Sequence, residues 1–449
     1  MSEEDEKTVE SGAAITDAQV PDITTCFTEV VQVCIMTPRG NPYDPNCKWG
    51  APACFWGLSG IAKSDRMEQA ASACSLPFEV LLPSQKQPED FSGVPVPNFA
   101  ALARAFSKTL TSAFTRILNK NAAAGEEEFS LADNVTIECM LPQIRRLCRE
   151  GRGVLFVDEV SCAAPATQGS MLGMVNDGRV GDVILSPGIR TLLAANPPKY
   201  SAGGWSLEPP MANRMAHFQL RCPSTQEWID WLLNEGERKE LDVIRSEETL
   251  RSRWNDKRSF VSGLLAGYMR DRQTALHTQP LPTHSQSGYC WPSPRTWALA
   301  GRMMSTVYAL DMPDTLILPV VEGCIGEGAA AEFLTWVRKA DLPSPEEVLT
   351  KGWTPNTKRL DITMAVTSAV ASYVRGMQDK SAQAEAGVAA WGFLKSVIDA
   401  KLSDIAMPAA EVLSRARLGF KSSNPKLKAA SAPVLEELAQ QKQIDYHVS

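Results

Sequence analysis

A short glycine-containing stretch, GLSGIAKS, has the residue types that bind phosphate groups. In such a loop the backbone N–H groups and the N-terminus of the following helix converge on phosphate oxygens. Lys63 would reach the terminal phosphates of a nucleotide, and Ser64 would coordinate Mg²⁺. An ordinary turn between a strand and a helix is the alternative interpretation. The predicted phosphate-binding residues are Gly57, Leu58, Ser59, Gly60, Ile61, Ala62, Lys63 and Ser64.

Ala62 stands where the pattern G-x-x-x-x-G-K-[ST] has its second glycine. A methyl group is compatible with this position if the backbone φ angle is negative, as it can be at the start of a helix. The loop needs the N–H of residue 62 more than it needs a missing side chain. We therefore expect Ala62 to leave phosphate binding intact.

Two carboxylates follow an apolar run in VLFVDEV, namely Asp158 and Glu159. Unpaired carboxylates are normally avoided inside a sheet, so their place at the end of this run favours a functional role. Asp158 suits Mg²⁺ ligation, together with Ser64, and Glu159 suits polarisation of a water that attacks a phosphate. The alternative is an acidic turn after a strand.

An amide ends another apolar run in TLLAANPP, at Asn196. This side chain could orient a hydrolytic water between Glu159 and the γ-phosphate. Alone the pattern is weak, since Asn before Pro197 is also a common way to start a turn.

Five short apolar runs must position these groups, and the helical patterns between them indicate βαβ units. We predict an α/β fold, a five-stranded parallel sheet between helices, followed by a helical part and further C-terminal helices. The three polar motifs fall at the carboxyl ends of three runs, the edge of an open α/β sheet where ligands bind. The runs are APACFWG (51–57), FEVLLP (78–83), GVLFVDEV (153–160), TLLAAN (191–196) and AHFQLR (216–221).

The chain divides by composition into five predicted parts. They are an acidic disordered tail (1–22), an α/β core (23–222), a helical part (223–345), a C-terminal helical region (346–420) and a tail whose order is left open (421–449).

The overall composition limits the classes of partner. A net charge of −7 over 449 residues argues against general affinity for nucleic acid or anionic membrane. No run reaches the ~18–20 apolar residues that span a bilayer. The N-terminus lacks the apolar region of a signal peptide, and the 11 cysteines have no metal-ligand spacing. We expect a cytoplasmic protein.

The motifs together resemble those of an AAA+ ATPase. In order, GLSGIAKS, VLFVDEV, AANPP, NRMAHFQL and WPSPRTW are similar to the Walker A, Walker B, sensor 1, arginine-finger and sensor 2 segments, over about residues 25–345. The stretches KQPEDFSGVPVPN and NDGRVGDVILSPGIRTLLAANPP resemble the MoxR branch, some of whose members also have Ala before the Walker A lysine. The resemblance implies that the second part of the chain (23–222) is a nucleotide-binding core and the third (223–345) a helical lid.

The resemblance implies a ring, usually a hexamer, with ATP and Mg²⁺ bound between neighbouring subunits. Arg214 would then be the finger that reaches the next subunit's site, and Arg295 the sensor on the lid. Ser293 and Pro294 suit the cap and first turn of a helix that would fix Arg295. The alternatives are a cation at a helix C-terminus for Arg214 and an ordinary surface arginine for Arg295.

The resemblance further implies a chaperone-like remodeller of a partner protein, and MoxR relatives commonly act with a protein that carries a von Willebrand A domain. The loops NDGRVGDVILSPG (176–188) and GEEEFSLADN (125–134) are candidates for partner contact. A nucleic-acid motor or loader is the alternative, which the acidic balance and the lack of a basic-aromatic stretch oppose. A module that uses ATP only to assemble is a third hypothesis, opposed by the presence of Glu159.

Overall fold

The computed structural model of the chain describes residues 20–92, 94–97, 136–139, 141–181, 183–200, 205–233, 246–340, 342–377 and 379–442. Its strands are β1 Ala53–Trp56, β2 Phe78–Leu81, β3 Val94–Pro97, β4 Thr136–Cys139, β5 Arg152–Val157, β6 Arg179–Val180, β7 Val183–Ile184, β8 Gly188–Ala195 and β9 Ala216–Gln219. The helices longer than three residues and of α type are α1 Phe27–Met36, α2 Lys63–Ala73, α3 Pro88–Ser92, α4 Pro142–Glu150, α5 Pro165–Ser170, α6 Leu172–Asp177, α7 Pro209–Ala212, α8 Thr225–Leu233, α9 Glu247–Asp271, α10 Pro294–Ala309, α11 Ile317–Ile325, α12 Glu327–Ala340, α13 Pro345–Lys351, α14 Leu360–Gly376, α15 Lys380–Asp399, α16 Ser403–Arg415 and α17 Pro425–Lys442.

The central sheet has five strands in the order β2-β5-β8-β1-β9, and every neighbouring pair is parallel. These are the five runs that the sequence predicts, so the expected α/β fold is confirmed, and the strand order fits a P-loop AAA+ core. Two short antiparallel pairs, β3 with β4 and β6 with β7, lie outside the main sheet. The second pair falls within the loop 176–188, while the other candidate loop, 125–134, lies outside the described residues.

Side chains of the central strands alternate between two hydrophobic clusters, as period-two geometry requires. Phe55 of β1 joins one cluster with α1 and α2, and Trp56 joins the other, on the opposite face. All four residues of β1 are buried. A strand buried on both faces needs the continuous apolar run that the sequence shows.

The cluster around Phe55 extends without interruption into the helices that follow the sheet. It includes Phe218 of β9 together with Tyr268, Trp297 and Phe333 of α9, α10 and α12. Gly323 of α11 makes this packing close, because a Cβ there would lie 2.5 Å from the Phe218 ring. The hydrophobic core therefore crosses the predicted boundary between residues 222 and 223.

A third cluster organises the C-terminal helices around Trp391, with α13 to α17 contributing. This cluster contacts the helices that directly follow the sheet through α14, which packs against α9. Gly263 and Gly267 permit this contact, since Cβ atoms there would meet Ala369 and Ala365 at 2.5 and 2.6 Å. Residues 425–442, whose order the sequence leaves open, form α17.

Residues 20–22 differ from the expectation of a disordered tail that extends to residue 22. Asp22 forms a parallel bridge with Gln219 of β9, and the Gln219 N–H donates to the Pro21 carbonyl at 2.8 Å. Arg221 pairs with the Asp22 carboxylate. The expectation was wrong for these residues because apolar and backbone contacts with the sheet edge order them; residues 1–19 lie outside the described part. No helix among the described residues has the length and apolarity to cross a bilayer.

Candidate functional site

Three neighbouring strands end at the site. Because β5, β8 and β1 are adjacent and parallel, their carboxyl ends bring Asp158, Asn196 and Gly57 to one edge of the sheet. The polar motifs that the sequence places at three separate positions therefore share one location. This is the edge at which open α/β sheets bind ligands.

The two glycines of the loop 57–64 have different reasons to be glycine. A Cβ on Gly57 would lie 2.7 Å from Ile61 Cδ1 and 3.1 Å from the Leu220 carbonyl oxygen, so the position has no room for a side chain. Gly60 has open space around it but a φ of +81°, which L-residues with a Cβ rarely adopt. Both fix the turn between β1 and α2.

Ala62 is the correction to the sequence analysis. Its φ and ψ are 59° and 37°, the left-handed conformation, and not the negative φ that the sequence argument assumed. A Cβ in this conformation costs about 1–2 kcal/mol. The second glycine of the usual pattern therefore has a conformational reason at this position, and Ala62 carries strain that glycine would not.

Lys63 is buried at the base of the loop, with 8% of its surface exposed. Its Nζ donates to the carbonyls of Gly57 and Leu58 at 2.8 and 2.9 Å and to Asn196 Oδ1 at 2.8 Å. Burial lowers the pKa of Lys63, and the charge of Asp158 opposes this shift. All three hydrogen-bond acceptors are neutral, so the ammonium is desolvated without a carboxylate in direct contact.

Ser64 and Asp158 form the second contact of the site. Ser64 Oγ donates to Asp158 Oδ2 at 2.6 Å, and Asp158 Oδ1 accepts from the Glu159 N–H at 2.9 Å. A hydroxyl and a carboxylate oxygen at this separation are the ligands that Mg²⁺ accepts. The structure thus brings together the two predicted metal ligands.

Glu159 is exposed, and its backbone is left-handed with φ 56° and ψ 39°. Among the described non-glycine residues of positive φ, Ala62 and Glu159 both lie at this edge. Backbone strain of about 1–3 kcal/mol persists only where surrounding contacts impose it, and it is concentrated at functional sites. The conformation turns the carboxylate of Glu159 away from the sheet interior and into solvent.

Asn196 connects the loop to the neighbouring strand ends. Its Oδ1 accepts from Lys63, its Nδ2 donates to Ser59 Oγ at 3.1 Å, and its backbone N–H donates to Ser161 Oγ at 3.1 Å. Ser161 is fully buried and was missed by the sequence analysis. A hydroxyl two residues after the acidic pair was the one available signal.

Arg214 lies between α7 and β9, so it is at the amino end of the sheet. Strand β9 has four residues, which span about 13 Å, and the loop 57–64 lies beyond the opposite ends of the strands. Arg214 Nε is buried without a hydrogen-bond partner, while its Nη1 donates to the Pro210 carbonyl. Partial burial lowers the pKa of Arg214, and the charge of Arg295 lowers it further.

Arg295 is exposed in the first turn of α10. The expected cap is confirmed: Ser293 Oγ accepts from the Thr296 N–H, and Pro294 occupies the first turn. The described contacts bring Arg295 close to Arg214, and no described hydrogen bond or ion pair links either arginine to the loop 57–64. The charges of Arg295 and Asp177 both act on Arg214, in opposite directions.

The link between the two arginines is a buried contact that the sequence analysis missed. Ser293 Oγ donates to Asn213 Oδ1 at 2.8 Å, and Asn213 Nδ2 donates to the Trp291 carbonyl at 3.0 Å.

His217 of β9 is a buried neutral histidine beside β1, the strand that leads into the loop 57–64. Its Nδ1 accepts from Trp56 Nε1 at 3.0 Å, and burial lowers the pKa of His217 to about 4.

The site fits a triphosphate nucleotide with a divalent cation. The N-terminus of α2 has no side-chain cap, so its first N–H groups face the loop together with the buried Lys63. No group of three His, Cys, Asp or Glu side chains in the described ranges could hold a metal alone. A Mg²⁺ beside Ser64 and Asp158 would therefore take further ligands from phosphate and water oxygens, as Mg²⁺ commonly does.

The described chain is thus an α/β protein of the P-loop type. No protein-family profile matches the sequence, and a search of curated proteins finds no relative. Among solved structures, the chain is similar to a protein described as a "putative ATPase" from Cytophaga hutchinsonii. That match has a TM-score of 0.40 and 13% identity, and covers 71% of this chain and 90% of the other. A likeness this distant adds no argument about function.

Proposed function

We propose that this protein binds ATP with Mg²⁺ and hydrolyses it. The observation that carries the proposal is the buried ammonium of Lys63, which contacts only neutral oxygens at the uncapped start of α2. A desolvated cation beside a positive helix end favours an anion strongly. The neighbouring Ser64 and Asp158 supply the oxygens for a metal that accompanies such an anion.

Each group at the sheet edge then has a task in phosphoryl transfer. Lys63 and the loop N–H groups hold phosphates, and Ser64 and Asp158 hold the metal. Glu159, whose side chain is exposed, accepts a proton from the attacking water. Asn196 orients that water through the second lone pair of its Oδ1, which also accepts from Lys63. Bound ATP would supply the leaving group, and no protein nucleophile is needed.

Calorimetric titration of ATP with Mg²⁺ tests the site. We expect Lys63→Met, which keeps the aliphatic stem, to abolish measurable binding. Lys257→Met removes an exposed lysine of α9 and should bind like the wild type. Equal affinity of the wild type and Lys63→Met, with both folded by circular dichroism, would refute the site.

We further propose that the chain works as a MoxR-like AAA+ ring of six subunits, the usual number in the family that the motifs resemble, and that the ring remodels a partner protein. Arg214 lies at the amino end of the sheet, so we propose that it acts on the nucleotide of the neighbouring subunit. Arg295, in the first turn of α10, is then the sensor on the helical lid. A protein with a von Willebrand A domain is the partner that the family resemblance suggests. Ultracentrifugation with and without ATP tests the ring, and affinity capture with ATP present tests the partner.

A further inference from the structure

The connection between α16 and α17, together with the helix ends beside it, is rich in positive charge. Residues 415–428, RARLGFKSSNPKLK, contain five cations and no acidic residue, in a chain of net charge −7. We call this segment the basic turn. All five cationic side chains are exposed: Arg415, Arg417, Lys421, Lys426 and Lys428.

The cations of the basic turn are largely uncompensated. Arg415 pairs with Glu411 at 3.2 Å, one turn earlier on α16, and both side chains are well exposed. Such a surface pair contributes little energy. Among the described residues, no ion pair engages the other four cations. The segment therefore presents a local positive field on an acidic protein.

A rigid support holds an aromatic ring among these cations. Leu418 is buried, and its carbonyl accepts from Trp391 Nε1 at 2.5 Å. A Cβ on Gly419 would lie 2.9 Å from the Trp391 ring, so the backbone is pressed against the core. The next residue, Phe420, is 49% exposed. Anchored neighbours keep its ring in solvent, although burial would stabilise the fold.

The surroundings of Phe420 discriminate between two classes of acidic partner. An acidic protein would need an apolar centre to bury. The described part of residues 345–442 has two large exposed apolar side chains, Leu360 and Phe420, and only Phe420 belongs to the basic turn. Single-stranded nucleic acid needs only cations for its phosphates and a ring face for a base. The composition of the basic turn favours nucleic acid.

We propose that the basic turn binds single-stranded nucleic acid, with the five cations on the phosphates and Phe420 stacked on a base. The sequence analysis argued against nucleic acid from the charge of the whole chain and from the lack of a basic-aromatic stretch. The fold shows that a local stretch of this kind is presented on the surface. Because the rest of the chain is acidic, this binding is short-ranged and depends strongly on salt.

Fluorescence anisotropy of the full-length protein with labelled dT20 and rU20 tests the proposal. If each cation neutralises one phosphate, log K against log salt has a slope of about −3.5. Lys421→Glu with Lys426→Glu should weaken binding at least about tenfold at low salt, since both local charges are reversed. Lys339→Glu, an exposed site on α12, is the control and should change binding little.

Substitutions at Phe420 provide a second test, because they would not change the affinity of a surface that binds by charge alone. Phe420→Leu keeps an apolar side chain but should weaken binding about tenfold, the usual loss when one stacked base loses its partner. Phe420→Trp should retain binding. The proposal is overturned if neither oligonucleotide binds at about 50 mM salt, a low concentration at which electrostatic binding to nucleic acid is strong. It is equally overturned if the charge variants bind like the wild type, or if a labelled poly-glutamate peptide binds more tightly than both oligonucleotides.

Discussion

The loop 57–64 and the basic turn both place lysines at the start of a helix, but one lysine is buried and the others are exposed. Lys63 at the start of α2 is buried and donates to three fixed oxygens, whereas Lys426 and Lys428 at the start of α17 are exposed. Because removing a cation from water is costly, a buried lysine needs partners at fixed positions. Such a site therefore accepts a ligand in one arrangement. Exposed cations contribute additively and are screened by salt.

The two helix starts also differ in their backbone donors. The α17 start is capped, since Asn424 Oδ1 accepts from the Lys426 N–H at 2.9 Å. The α2 start has no side-chain cap and follows the strained Ala62. At the α17 start the Asn424 cap therefore occupies the Lys426 N–H, whereas at the α2 start no side chain competes with an anion for the first N–H groups.

The largest expected effect on the rate of ATP hydrolysis concerns Arg214, because a site whose groups have fixed positions loses its activity when one of them is removed. An arginine supplied from a neighbouring subunit is worth about 10³–10⁵ in rate. We expect Arg214→Ala to reduce ATP hydrolysis on that scale, measured by phosphate release, and to leave ATP binding intact. Arg338→Ala, an exposed position on α12, is the control.

Mixing subunits separates a neighbour's arginine from one that acts within its own subunit. In rings of Arg214→Ala and Glu159→Gln subunits, some interfaces pair an intact Glu159 with an intact Arg214. Those sites should recover hydrolysis that neither parent shows. A mixture that co-assembles by labelled capture yet is inactive at every ratio would contradict the shared site.

Glu159→Gln should have the next largest effect. Loss of a general base typically lowers a rate about 10²–10⁴-fold, while the phosphate-binding groups remain. Turnover should therefore stop nearly completely, with calorimetric ATP affinity close to wild type. Glu68→Gln, on the exposed face of α2, gives the matched change away from the site. Hydrolysis of ATP by Glu159→Gln at the wild-type rate would show that Glu159 is not the general base.

Ala62→Gly should have the smallest effect and an unusual sign. Glycine relieves the left-handed strain, so we expect the free energy of unfolding in urea to rise by about 1 kcal/mol. Ala331→Gly, in the exposed interior of α12, should lower it by about 1 kcal/mol. ATP affinity of Ala62→Gly should change little. Destabilisation equal to that of Ala331→Gly would contradict the left-handed backbone at position 62.

The sequence predicted the sheet and the shared edge because buried strands leave a clear apolar pattern, and parallel strands align their ends. It did not predict the backbone of Ala62, since residue type does not fix the sign of φ at a tight turn. The contact of Asn213 with Ser293 was also missed, because it joins residues 80 positions apart. The basic turn, in contrast, could have been found by counting local charge.

The apolar cluster that runs from Phe55 through Phe218 to Phe333 makes the sheet and the following helices a single cooperative folding unit. A chain cut at residue 222 would expose apolar side chains of this cluster to water, so we expect the sheet and the following helices to unfold in one transition. If the chain hydrolyses ATP as proposed, we expect the accompanying motion to be distributed through this shared packing as small shears between helices, and not to be a free rotation about a hinge at the boundary.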